Sequence, residues 1–106
     1  MIDAAESPKH SRPETLPQLL RQIKSCFNPK RVILFGSWAR GDARINSDID
    51  LAFELDGQEK ISWDDFYALM LEGAETLHRL DLVKLHSVSK EFRDHIEKFG
   101  VIVDGR

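Results

Sequence analysis

A chain of 106 residues, 42% hydrophobic and 31% charged, is long enough for one globular domain with a modest core and too short for two. Its formal net charge of −3 argues against a basic face for nonspecific DNA or RNA binding, but leaves metal-assisted nucleotide binding open. Cys26 is the only cysteine, which excludes an internal disulfide, and no signal peptide or apolar run of about 20 residues is visible, so no membrane partner and a cytoplasmic location are expected.

Met1 to Glu14 holds Pro8 and Pro13 among polar residues without periodicity and is expected to be a mobile tail. The remainder, 15–106, is expected to form one domain. Pro17 suits the first turn of a helix. Leu16, Leu19, Leu20, Ile23 and Phe27 then recur at helical spacing, and Asn28-Pro29 ends the segment. Cys26, on the flank of that face, reads as a small apolar filler, since no activating neighbour is evident.

Val32-Ile33-Leu34-Phe35 is an apolar run of strand length, stopped by Gly36-Ser37. Gly36 has no Cβ, so a ligand can approach its backbone closely. Ser37 offers a hydroxyl and reads as the N-cap of a short helix over Trp38–Asp42, whose free N–H groups would attract phosphate. Arg40 and Arg44 add positive charge. A second strand-like run, Ile49–Phe53, carries Asp48 and Asp50 in its first half. Residues two apart on a strand share a face, about 6.6 Å apart along the axis. Two such carboxylates repel and lose hydration, and a hard divalent cation such as Mg²⁺ relieves both penalties. If the strands are neighbours, a phosphate-binding turn faces a metal-binding pair, which is equipment for phosphoryl or nucleotidyl transfer.

Asp56-Gly57 makes a turn, and Ser62 with Asp65 starts a helix whose apolar stripe runs through Trp63, Phe66, Tyr67, Met70, Ala74 and Leu77. That stripe reads as core, not as a cofactor box. Glu72 and Glu75 read as a solvated face, and Gly73 would be explained by close packing on a neighbour or partner. Leu80–Leu85 reads as a third strand, interrupted at Asp81. Asp81 is either a surface acid at a strand end or a further carboxylate of the site. Ser89 caps a last helix with Phe92, Ile96 and Phe99 inward and Gly100 at its end, and Val101–Val103 either forms a short strand or simply packs. His10, His78, His86 and His95 show no metal-ligand spacing; His86, near the end of Asp81's strand, stands out for attention. The connector between the first two strands is too short for an ordinary parallel crossover. The fold class expected is therefore α/β (α+β), a small mixed β-sheet backed by helices.

Gly36-Ser37-Trp38-Ala39-Arg40-Gly41, followed by Ser47-Asp48-Ile49-Asp50-Leu51, resembles the G-S-x-A-R-G…S-D-x-D-L motif of the polymerase-β-like nucleotidyltransferases. Spacing and shortness resemble the minimal nucleotidyltransferases (MNT), which are encoded beside HEPN-family proteins as antitoxins of toxin–antitoxin pairs. The resemblance extends from Thr15 to Val103. It implies that Asp48 and Asp50 hold two Mg²⁺ ions, that Asp81 is the third acid and assists with the second metal, and that Gly36 and Ser37 hold the β- and γ-phosphates of ATP. Arg40 is a further candidate for phosphate contact. It also implies transfer of AMP to a tyrosine of a HEPN toxin, because larger relatives hold their acceptors with a further domain that this chain is expected to replace with a partner. Two other readings stay open: an antitoxin that acts by binding alone, and a nucleotidyltransferase that modifies a small molecule or RNA with a separate substrate-binding partner.

Overall fold

The structure, a computed structural model, describes residues 12–106. The tail expected over 1–14 lies mostly outside the described residues. At its described end Pro13 is buried and its carbonyl accepts a hydrogen bond from the Leu16 N–H at 3.0 Å.

Helix α1 (Leu16–Cys26) leads through Asn28-Pro29 into strand β1 (Arg31–Phe35) and a four-residue helix α2 (Ser37–Arg40). Strand β2 (Ile49–Glu54), helix α3 (Trp63–Gly73), strand β3 (Leu80–Lys84) and a 3-10 turn at Leu85–Ser87 follow. Helix α4 (Lys90–Phe99) and strand β4 (Val101–Gly105) complete the order. The sheet runs β3-β2-β1-β4. β1 pairs antiparallel with both β2 and β4, while β2 pairs parallel with β3 across the α3 crossover. The expected mixed sheet is therefore present, and the final apolar segment is a true strand.

Alternation along the strands sorts the side chains onto two faces. Val32, Leu34, Ile49, Leu51, Phe53 and Leu82 bury against α1 and α3. Phe27 stacks on Phe66 with centroids 4.1 Å apart, and Phe53 and Trp63 close around them at edge-on or tilted angles. The opposite face is smaller: Ile33, Phe35, Ala52 and Leu85 meet Ile96 of α4. Arg31 ties that side together, reaching Glu54 on β2 and Glu97 on α4, each at 2.7 Å. Gly100 fits the tight step from α4 to β4, because a Cβ there would run into Ile33 and the Ile96 carbonyl.

Several expectations change. Helix α3 stops at Gly73, so Leu77 falls in the following loop at 102% relative exposure instead of in the core. A Cβ at Gly73 would meet no atom within 4 Å, which removes close intramolecular packing as its reason. The Gly73 carbonyl instead accepts from Gln22 Nε2 at 2.6 Å, pinning the end of α3 to α1. Phe92 and Phe99 are exposed in large part, since the α4 face of the sheet has room to bury only Ile96 fully. Phe92 keeps an edge-on contact with Phe35 at 5.6 Å. Ser62 does cap α3, accepting from the Asp65 N–H at 3.1 Å, and Ser89 caps α4 in the same way through the Phe92 N–H. Cys26 is half-buried and its thiol pKa is raised by burial, which suits a filler rather than a nucleophile.

Candidate active site

The acids meet where β1 ends and β2 begins. β2 is a central strand, and its residue Asp50 stands opposite Phe35 of β1 on one side and Asp81 of β3 on the other. The parallel register of β2 and β3 therefore aligns two acids that lie 31 positions apart in sequence. Asp50, Ala52, Asp81 and Val83 alternate with the buried Leu51 and Leu82, so both acids lie on the α4 face of the sheet. Asp48 lies one residue before β2, exposed in the connecting loop rather than on the strand itself.

Crowding shows in the protonation of Asp50. Its carboxyl is pushed up from 3.8 to about 6, first by burial, then by the negative charges of Asp81 and Asp48, with Arg40 pulling weakly the other way. A side-chain interaction with Asp81 raises the Asp50 carboxyl further. Among the described residues, no three His, Cys, Asp or Glu side chains stand already arranged as a metal cage. The donor set brought to this corner, carboxylate oxygens only, suits a hard divalent ion.

Gly36 faces the same pair. Its φ of 75° and ψ of −149° fall in a region open essentially to glycine alone. A Cβ built on it would collide with the Asp50 carboxylate. The backbone at the turn and the acid on β2 are therefore in direct contact, which the sequence could place only as neighbours. Gly36, not Ser37, caps α2: its carbonyl accepts from the Ala39 and Arg40 N–H groups at 3.1 and 3.0 Å. Ser37 is the first helical residue, and its hydroxyl makes no hydrogen bond to other described residues. Arg40 is exposed and paired with Asp42 at 3.2 Å. Replacing Gly36 by Val should strain the turn by about 1–3 kcal/mol and displace Asp50. ATP binding in the presence of Mg²⁺, followed by calorimetry, should fall below detection, while Ser37→Ala, which loses one hydroxyl, should weaken it by about tenfold or less. Equal affinity in Gly36→Val and the parent would place the phosphates elsewhere.

Trp38 and His78, which the sequence did not assign to the site, hold the loop before Asp48. The Ser47 carbonyl receives Trp38 Nε1 at 3.3 Å and lies 2.9 Å from His78 Nδ1. Trp38 and His78 pack edge-on at 5.9 Å. Ser47 Oγ accepts from the Arg44 N–H at 2.8 Å, and the Ile49 N–H donates to the Arg79 carbonyl at 2.9 Å. Asp48 is thus flanked on both sides by fixed backbone. His78, not His86, is the histidine beside the site. His86 sits exposed in the 3-10 turn beyond the far end of β3, and about 10 Å of strand lies between Asp81 and that end.

The model of the family described as polymerase beta, nucleotidyltransferase, matches residues 17–106. The chain belongs to that family. Its fold is also found in solved structures. One, a toxin–antitoxin structure with AMP-PNP, is 26% identical, with a TM-score of 0.64 over 91% of this chain and 75% of the other. A Sulfolobus solfataricus protein assigned as a nucleotidyltransferase aligns over 100% of this chain and 91% of its own, at 20% identity and a TM-score of 0.62. The toxin–antitoxin MntA-HepT aligns at 24% identity and a TM-score of 0.56, covering 89% of this chain and 70% of the other. A search of curated proteins gives no match. The resemblance carried by Gly36–Gly41 and Ser47–Leu51 is borne out by family and fold, and the chain resembles the minimal nucleotidyltransferases in particular. Among the described residues, no helix is long and apolar enough to cross a membrane.

Proposed function

We propose that this nucleotidyltransferase is an antitoxin that moves AMP from ATP onto a protein hydroxyl, a tyrosine of a HEPN-family toxin, working in the cytoplasm from a single domain over 15–106. The observation that carries this reading is Asp50, aligned with Asp81 across β2 and β3 and packed against the Cβ-less Gly36 turn. Similarity to a toxin–antitoxin structure with AMP-PNP supports both the partner and the donor.

Asp50 and Asp81 form the aligned pair of carboxylates and Asp48, in the loop before β2, the third; together they would hold Mg²⁺, two ions as the family resemblance implies. When bound, Mg²⁺ supplies charge neutralisation at the entering and leaving oxygens. The residues fit this role, because a bound cation offsets the burial and the neighbouring negative charges that raise the Asp50 pKa. Gly36 gives the triphosphate access to backbone, Ser37 adds a hydroxyl, and Arg40 adds charge once it leaves Asp42. The tyrosine oxygen attacks the α-phosphorus in line, the bond to the bridging oxygen breaks, and pyrophosphate leaves. Asp81 takes up the hydroxyl proton.

The test is co-expression with a candidate HEPN-family toxin. The partner should gain the mass of one AMP, located on tyrosine by fragmentation, and EDTA should prevent the gain. An unmodified partner that is nonetheless neutralised would leave the binding-only antitoxin; label on a small molecule or RNA would leave the third reading.

A further inference from the structure

Beside the loop that carries Asp48 lies a surface that no other described residue covers. Ile45, Asn46, Leu77, His78 and Arg79 line a groove of about 230 Å³. It shares His78 and Arg79 with a larger one of about 450 Å³, bordered by Tyr67 and Leu71 of α3. Ile45, Leu71 and Leu77 are 82%, 73% and 102% exposed. Three large aliphatic side chains so exposed along one connected depression mark an interaction site more readily than scattered surface residues do. The smaller groove borders the loop that carries Asp48: His78 Nδ1 lies 2.9 Å from the Ser47 carbonyl, and the Arg79 carbonyl accepts from the Ile49 N–H at 2.9 Å.

Charge narrows the occupant. Arg79 lines both grooves and Arg44 adjoins Ile45, and neither arginine forms an ion pair with the described residues. Glu72, on α3, is the only acid among the lining residues. In a chain of net charge −3, the smaller groove is thus bordered by the exposed aliphatic side chains of Ile45 and Leu77 and by the cation of Arg79.

We propose that this groove docks the segment of the acceptor protein that carries the modified hydroxyl, through aliphatic side chains laid over Ile45, Leu77 and Leu71 and an acidic residue beside Arg79 and Arg44. The inference rests on the reading of this chain as a protein-modifying enzyme, and it deepens that reading by naming what selects the acceptor. Such a segment, lying along the groove, comes up against the loop that carries Asp48. Arg79 steers an acidic partner at long range, and the aliphatic contacts hold it once bound.

The probe is a candidate HEPN-family toxin, purified separately, with labelled ATP and Mg²⁺. Ile45→Asp, Leu77→Asp and Arg79→Glu change exposed side chains, so all three should fold and bind ATP as the parent does. Each aspartate variant should raise the KM for the partner by about tenfold or more with little change in KM for ATP. Arg79→Glu should do the same and flatten the salt dependence of the partner's KM. Ile102→Asp, an exposed change on β4 at the other edge of the sheet, should match the parent. If the parent labels its partner and the three groove variants label it equally well, the docking site is wrong while the activity stands. If the variants lose only self-association in sedimentation, the face belongs to a second copy and the proposal falls. If the parent labels no protein at all, the protein-modifying reading fails and takes this inference with it.

Discussion

Asp50→Asn should abolish AMP transfer and, in the absence of metal, make the protein more stable at neutral pH. The folded chain holds the Asp50 proton up to about pH 6, whereas the unfolded chain releases it near 3.8. Between those values the unfolded state binds fewer protons, so stability falls as pH rises through the window and the deficit is complete above it. Asparagine carries no charge and escapes this penalty. Because Asp50 is only half-buried, solvent screening trims the effect to about 1–2 kcal/mol, or about 5–10 °C in Tm. Thermal melts in EDTA at pH 4 and pH 7.5 should show the variant ahead at the higher pH only. Transfer should drop by at least about 10²–10³-fold, the scale for removing one fixed electrostatic contact from a transition state. A variant that melts with the parent at both values would mean that Asp50 is not crowded, and full activity would mean that it is not a ligand.

The parts of the site legible in the sequence were those set by short-range chemistry. A glycine that ends an apolar run and a pair of acids at the head of another are local statements, and both landed where β1 and β2 meet. Asp81 was harder, because its partner is 31 residues away and only the parallel register of β2 and β3 aligns them. The clamp on the Ser47 carbonyl was out of reach for the same reason: Trp38 and His78 arrive from different elements, and neither has a spacing that announces the other. Leu77 shows the opposite failure. Helical periodicity continued past Gly73, but the backbone left the helix, with Thr76 and Gln22 taking up the loop's hydrogen bonds. An apolar residue in phase with a stripe was read as core and is fully exposed in the loop after α3 instead.

Asp81→Asn separates an enzyme from a binder. Asparagine keeps the size of the side chain and its amide can donate to Asp50, so the fold should hold and the Asp50 pKa should fall back from about 6. The stability lost between pH 4 and pH 6 should shrink accordingly. Asp48 and Asp50 remain for the nucleotide-bound metal, so Mg-ATP should still bind within about threefold of the parent. Transfer should fall by about 10²–10³-fold, because one carboxylate is missing on the side where the acceptor hydroxyl is activated. Partner binding should persist, since its contact energy comes from buried apolar anchors and not from one acid in the cleft. At low expression the variant should then fail to rescue growth against the toxin, with the toxin bound yet unmodified, while at high expression occupancy alone rescues. Replacing Asp48, Asp50 and Asp81 together by Asn gives the decisive contrast. A folded triple variant, confirmed by circular dichroism, that rescues as well as the parent at every expression level would show that the acids do no chemistry and that neutralisation is by contact alone.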